Sequence, residues 1–154
     1  MQIYVDADAF PKVIQEILFR AIERVRVSLI LVSNKHVKCP KSDLISKIVV
    51  GEGPDIADDK IVEMVQVGDL VITADIPLAS RVIGKGAYSI NPRGELYTKT
   101  NINHKLAMRD LMDELRKNGE ITGGPPSFNQ KNVQEFANQL DRFLARYSRR
   151  VNIH

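Results

Sequence analysis

The stretch "IYVDADAFP", residues 3–11, runs from apolar residues into two aspartates at alternate positions and then into a proline. Residues 2–5 read as a strand. Pro11 stands where a first helical turn tolerates it, so a helix is expected from there to about Val25. Its apolar stripe, Val13, Ile14, Ile17, Leu18, Ala21, Ile22 and Val25, has a helical period. The next apolar run, "VSLILVS" at 27–33, is nearly continuous, as expected of a strand covered on both faces within a parallel sheet.

Working outward, "KIVV" at 47–50 reads as a third strand and "GEGPD" breaks it. Asp55 suits an N-cap for a helix over 56–67, with Asp58 and Asp59 in its first turn and Gly68 past its end. "LVITA" at 70–74 is the fourth strand, and Pro77 opens a helix that stops near "GKG". "AYSI" at 87–90 makes a short fifth strand before the turn-like "NPRGE". Helices are expected over 101–117 and 129–147, joined through "GEITGGPPS" and packed on or beside the core. Alternating strands and helices imply an α/β fold over the whole of 1–154, with a mostly parallel five-stranded sheet and right-handed crossovers.

At 154 residues and 44% hydrophobic composition, the chain has the size of one ordinary domain. Its single cysteine, Cys39, excludes an internal disulfide and a zinc-finger ligand set. The opening residues lack a basic and apolar leader pattern, and no run approaches the length of a membrane span, so a cytoplasmic protein without a membrane partner is expected. Charge is unevenly placed. Residues 1–75 hold 9 Lys/Arg against 12 Asp/Glu, and residues 76–154 hold 13 against 7. Either these are solvated helix faces or an acidic cluster meets a basic rim, as in a metal site that works on a phosphate backbone.

In open parallel sheets, ligands bind beyond the carboxyl ends of the strands. Asp6 and Asp8 close the first strand, Asp75 follows the fourth, and Asp55 and Asp58 open the second helix, all on that one edge. On a continuous strand Asp6 and Asp8 would share a face, roughly 6 to 7 Å apart. Several carboxylates in one cleft repel unless protons or a cation are bound, and an all-oxygen set suits Mg²⁺ or Mn²⁺. Such an ion activates water for phosphodiester hydrolysis. Helix capping is the competing role for Asp55, Asp58, Asp59 and Asp75. Thr73 and Ser80, which flank Asp75, are placed to orient a ligand or water.

Six segments, "VDADAFP" at 5–11, "DIADDKIV" at 55–62, "GDLVITADIPLA" at 68–79, "NPRGELYT" at 91–98, "MRDLMDEL" at 108–115 and "TGGPPSF" at 122–128, resemble the YaiI/YqxD family of uncharacterised bacterial proteins. That family is regarded as PIN-like, related in fold to metal-dependent nucleases. The resemblance implies sheet order 3-2-1-4-5 and an acidic quartet. By position Asp6, Asp58 and Asp75 match three of its acids. Where such nucleases carry a fourth acid a few residues beyond, this chain has "IPLAS", so Asp8 is the candidate replacement. Relatives usually carry a cysteine where this chain has Phe10. The resemblance thus implies a metal-ligating and catalytic set of Asp6, Asp58 and Asp75, with Asp8 as the candidate fourth member.

Asn91, Arg93 and Arg109 lie in the same motifs, and arginine suits bidentate phosphate recognition, so all three are candidate phosphate contacts. For Arg109 the competing role is a salt bridge to an acid of the cleft, and for Arg93 a turn residue in water. His36, His104 and His154 have no metal spacing, and the basic "RFLARYSRR" at 142–150 suits either a nucleic-acid backbone or a helix end. The leading expectation is a Mg²⁺- or Mn²⁺-dependent nuclease acting on RNA or DNA. A non-catalytic module that binds nucleic acid or protein is the alternative. A third is a phosphatase using Asp6 as nucleophile, because "DADAF" loosely resembles the haloacid-dehalogenase motif.

Overall fold

The computed structural model describes residues 1–8, 10–123 and 127–152, with side chains described as far as Tyr147. Among the described residues six strands form one sheet: β1 (Gln2–Asp6), β2 (Ser28–Ser33), β3 (Ile45–Val49), β4 (Leu70–Ile72), β5 (Tyr88–Ile90) and β6 (Leu96–Tyr97). Their order is β3-β2-β1-β4-β5-β6. The first five in that order are parallel, and β6 runs antiparallel to β5. Five helices complete the described chain: α1 (Lys12–Val25), α2 (Ile56–Met64), α3 (Ile76–Gly84), α4 (Ile102–Lys117) and α5 (Gln130–Asn152).

Alternation along the strands sends side chains into two cores. On one face Ile3, Val5, Leu29, Leu31, Leu70 and Ile72 pack with Ile14, Leu18 and Ile22 of α1 and with Phe136, Leu140 and Leu144 of α5. On the other, Tyr4, Ile30, Val32 and Val71 meet Ile61 of α2 and Leu78 and Val82 of α3. The layers are therefore helix, sheet, helix. The fourth helix joins through a smaller cluster, Ala79 and Ile83 of α3 with Tyr97 and Ile102, and Ile102 is its one buried residue. Among the described residues no helix is long and apolar enough to cross a membrane.

The five expected strands are present, and the sheet gains a sixth. "NPRGE" is a turn as expected, but it closes a hairpin onto β6, whose two residues are too short to display an alternating pattern. The second helix ends at Met64 rather than residue 67, because Val65 turns extended at ψ 144°. Its expected cap also differs: Asp55 has φ 64° and its side chain accepts no capping hydrogen bond. The final helix runs past the expected residue 147. Of the stretches singled out in the sequence, residues 124–126 of "TGGPPSF", the side chains of Ser148, Arg149 and Arg150, and His154 lie outside the described residues.

Asp69, which the sequence reading passed over, is a buried joint. Its Oδ1 accepts from the Gln2 N–H at 3.0 Å and its Oδ2 from the Gln66 N–H at 2.9 Å. It thereby ties the start of β1 to the turn that leads into β4. Two unpaired donors are satisfied at the edge opposite the acids.

Candidate functional site

Adjacent parallel β1 and β4 bring Asp6 and Thr73 together at the carboxyl edge of the sheet. The Thr73 hydroxyl donates to Asp6 Oδ2 at 3.3 Å and accepts from the Asp75 N–H at 3.0 Å. A buried threonine thus couples the two strand ends, where the sequence suggested a ligand-orienting role. Asp75 Oδ1 accepts from the Leu78 N–H at 3.0 Å, so this acid caps α3 as well as facing the edge.

Three acids from three elements feel one another there. Burial raises the Asp6 carboxyl above its ordinary value; the Thr73 bond opposes the rise, and the charges of Asp8 and Asp75 add to it. Asp58, in the first turn of α2, is pushed up to about 6 by burial and then by the charges of Asp75, Asp6 and Asp55. Arg81 acts against that shift, but its guanidinium is bonded to Asp59 at 2.8 Å. The edge therefore carries an excess of negative charge.

Asp8 departs from the expected geometry. The strand ends at Asp6, and Asp8 lies exposed in the following turn, its two carboxylate oxygens accepting from the Asn34 N–H at 2.9 and 3.1 Å. It pins the end of β2 while adding its charge to Asp6. Among the described residues no group of three or more His, Cys, Asp or Glu side chains is gathered to hold a metal ion. The reason is visible in the bonds: Asp6 is directed to Thr73, Asp75 to its helix and Asp8 to Asn34. Carboxylate oxygens are hard donors of the class that takes Mg²⁺ or Mn²⁺, and these acids act on one another's charge, but the described side chains are not gathered into a ligand set.

Asn91, Arg93 and Arg109 do meet, along one groove of about 550 Å³. Asn91 is buried and both ends of its amide are engaged: Oδ1 accepts from the Arg93 and Glu95 N–H groups at 2.9 and 3.0 Å, and Nδ2 donates to the Tyr97 hydroxyl at 3.0 Å. This side chain builds the β5–β6 turn. Arg93 is anchored too, its Nη1 donating to Asn132 Oδ1 at 3.3 Å and its guanidinium lying 5.9 Å from the Phe128 ring centroid. Arg109 pairs on its own helix, with Asp110 at 3.2 Å and Asp113 at 3.7 Å, and not with an acid of the strand edge.

The groove also contains residues that the sequence reading missed, namely Lys105, Met108, Met112, Arg116 and Phe128. One signal was available in α4. Its Met108, Arg109, Met112 and Arg116 recur at helical spacing, yet most of that helix has no core to face. Its lining includes Ala74 and Ile76, the residues on either side of Asp75, although Asp6, Asp58 and Asp75 themselves do not line it.

Comparison with known proteins defines the class. Residues 4–146 match the family model described as "Uncharacterized BCR, YaiI/YqxD family". The chain is 58% identical over 149 residues to a UPF0178 protein of Hahella chejuensis, covering 97% of this chain and 99% of that one. It is 56% identical over 146 residues to a UPF0178 protein of Janthinobacterium, covering 95% and 97%, and 54% identical over 151 residues to one of Maridesulfovibrio salexigens, covering 98% and 100%. This chain belongs to the YaiI/YqxD family. No solved structure matches it significantly.

Proposed function

We propose that the chain is a Mg²⁺- or Mn²⁺-dependent phosphodiesterase that acts on RNA or DNA at the carboxyl edge of its sheet. The carrying observation is that Asp6, Asp58 and Asp75, from three elements at one sheet edge, act on one another as like charges, with the Asp58 carboxyl pushed up to about 6 by burial and its neighbours' charge, although the described side chains are not gathered into a ligand set. A cation relieves that repulsion. The PIN-like resemblance of the motifs and the adjoining groove with Arg93, Lys105, Arg109 and Arg116 support the same reading.

Asp6, Asp58 and Asp75 would hold the ion, which supplies Lewis-acid polarisation of a phosphoryl oxygen and an activated water. Thr73 keeps Asp6 and the Asp75 backbone in register, and the α3 cap holds Asp75 in place. The basic side chains of α4 orient the phosphate backbone. Their ion pairs are exposed and each is worth about 0 to 1 kcal/mol, so exchange from carboxylate to phosphate costs little. The separate anchoring of the acids favours a second reading, a nucleic-acid-binding module without catalysis.

Calorimetric titration of Mn²⁺ into wild type, Asp58→Asn and Asp75→Asn, followed by cleavage assays on labelled oligonucleotides, tests the proposal. The expected result is Mn²⁺ binding and Mn²⁺-dependent cleavage in wild type, both lost in folded variants. Nucleic-acid binding indifferent to Mn²⁺ and unchanged in the variants would overturn the catalytic reading in favour of the second.

A further inference from the structure

We infer that the groove beside Asp75 is a nucleobase subsite, which takes one unpaired base of the strand whose phosphates cross the acidic edge. The inference deepens the phosphodiesterase reading and rests on its nucleic-acid half. A groove of about 550 Å³ falls within the span of about 300 to 1,000 Å³ typical of small-ligand sites. Its walls are mostly apolar: Met108 and Met112 on α4 face Pro92, Phe128 and Ile76.

Three features select a base attached to a phosphate chain over a plain apolar ligand. The Arg93 guanidinium over Phe128 makes a flat, cationic wall, the surface on which a base π-face stacks. Tyr97 also lines the groove, its hydroxyl accepting from Asn91, and its O–H would be the donor offered to a base edge. At the rim, Lys105, Arg109 and Arg116 lie on one side of α4; among the described residues the lining holds these and Arg93 against the acids Glu95 and Asp113, with which Lys105, Arg109 and Arg116 are paired. Continuity completes the argument. Ala74 and Ile76 line the groove and Asp75 stands between them in the chain, so a nucleotide seated in the groove would have its phosphate near the acidic edge. The base must be unpaired, since a duplex shields the faces that stack.

Met108 and Met112 are exposed at 38% and 37%, so replacing both with alanine leaves the core intact. The test measures equilibrium anisotropy of a fluorescein-labelled ten-nucleotide single strand and of its fully abasic counterpart, in EDTA, with full-length wild type and the Met108→Ala/Met112→Ala double variant. The base-bearing strand is expected to bind wild type about tenfold or more tightly than the abasic one, in line with about 1 to 3 kcal/mol per stacked base. The double variant is expected to lose most of that difference. Equal affinity of wild type for both strands, or a preference that survives the double substitution, would overturn the inference. Cleavage of the same strands in Mn²⁺ separates the two proposals. Cleavage without base preference sinks the subsite and keeps the acidic edge, base-dependent binding without cleavage does the reverse, no binding of either strand in EDTA sinks the subsite, and no cleavage of either strand in Mn²⁺ sinks the catalytic reading.

Discussion

Asp75 restrains its own helix and raises the proton affinity of Asp58 with the same carboxylate. Its Oδ1 accepts from the Leu78 N–H at 3.0 Å, and its charge is the foremost of the like charges acting on Asp58. Structure and site therefore share one side chain, and substitutions there separate the two roles.

Asparagine retains the capping acceptor and removes the charge. Asp75→Asn should keep the cap and, with the like charge on Asp58 and Asp6 gone, be at least as stable as wild type at pH 7.5, whereas Asp75→Ala should lose the cap at about 0.5 to 2 kcal/mol, partly offset by the same relief. In both, the Asp58 carboxyl should titrate below its wild-type value of about 6, since its strongest like-charge neighbour is gone. Urea unfolding gives the first quantity and carboxyl-detected NMR titration the second.

The raised carboxyls set a pH dependence of folding. A proton binds Asp58 more tightly in the folded chain than in the unfolded one, so stability declines as pH rises from about 4 to about 6 and levels above that window. Asp6 contributes with the same sign. Urea midpoints measured in EDTA at pH 5 and 7.5 should therefore differ in favour of pH 5 for these groups. Asp58→Asn should shrink that difference and raise the midpoint at pH 7.5; a midpoint lowered at pH 7.5 would contradict the assigned repulsion.

Gly94 is required where the β5–β6 turn meets α5. It has φ 93°, and a Cβ there would stand 2.5 Å from the carbonyl carbon of Glu135 and 2.7 Å from the Phe136 nitrogen. Backbone cannot step aside as a flexible side chain does. Gly94→Ala should lose about 2 kcal/mol or more and speed amide hydrogen exchange in α5, measurable by calorimetry and mass spectrometry.

Asn91 offers the complementary test of a residue whose motif suggested phosphate. Removing its amide leaves two turn N–H groups and the Tyr97 hydroxyl without their partner, at a cost of about 1 to 3 kcal/mol. Tyr97→Phe should cost less, about 0.5 to 1.5 kcal/mol. Thermal unfolding of the two variants and their double gives the coupling.

Legibility in the sequence followed the length of each signal. Continuous apolar runs such as 27–33 and the helical stripe of 12–25 define their elements whatever lies around them, and the acid positions at strand ends place Asp6 and Asp75 on one edge. Hydrogen-bond direction was not legible. Nothing in "DAD" says that the strand stops after Asp6 so that Asp8 is free to reach Asn34, and nothing in "GPDI" says that Asp55 is turned left-handed. Likewise the β6 pairing depends on the Asn91 side chain folding the turn, and the groove depends on α4 and the residues before α5 meeting across it. Those are tertiary relations between distant stretches, and composition carries no record of them.

The crossover that sets β1 beside β4 has a kinetic consequence. Ile3 pairs with Leu70 and Gln2 with Asp69, so a loop of more than sixty residues must close before Asp6 and Thr73 meet. Contacts of that separation are costly to form early. As the chain leaves the ribosome, β1 has β2 on one flank and an open flank on the other until residues 70–72 emerge. The nascent β1–β2 pair carries only the repulsion of Asp8 on Asp6; that of Asp58 comes with α2 and that of Asp75 after β4, so the electrostatic load of the finished edge accumulates as the chain emerges.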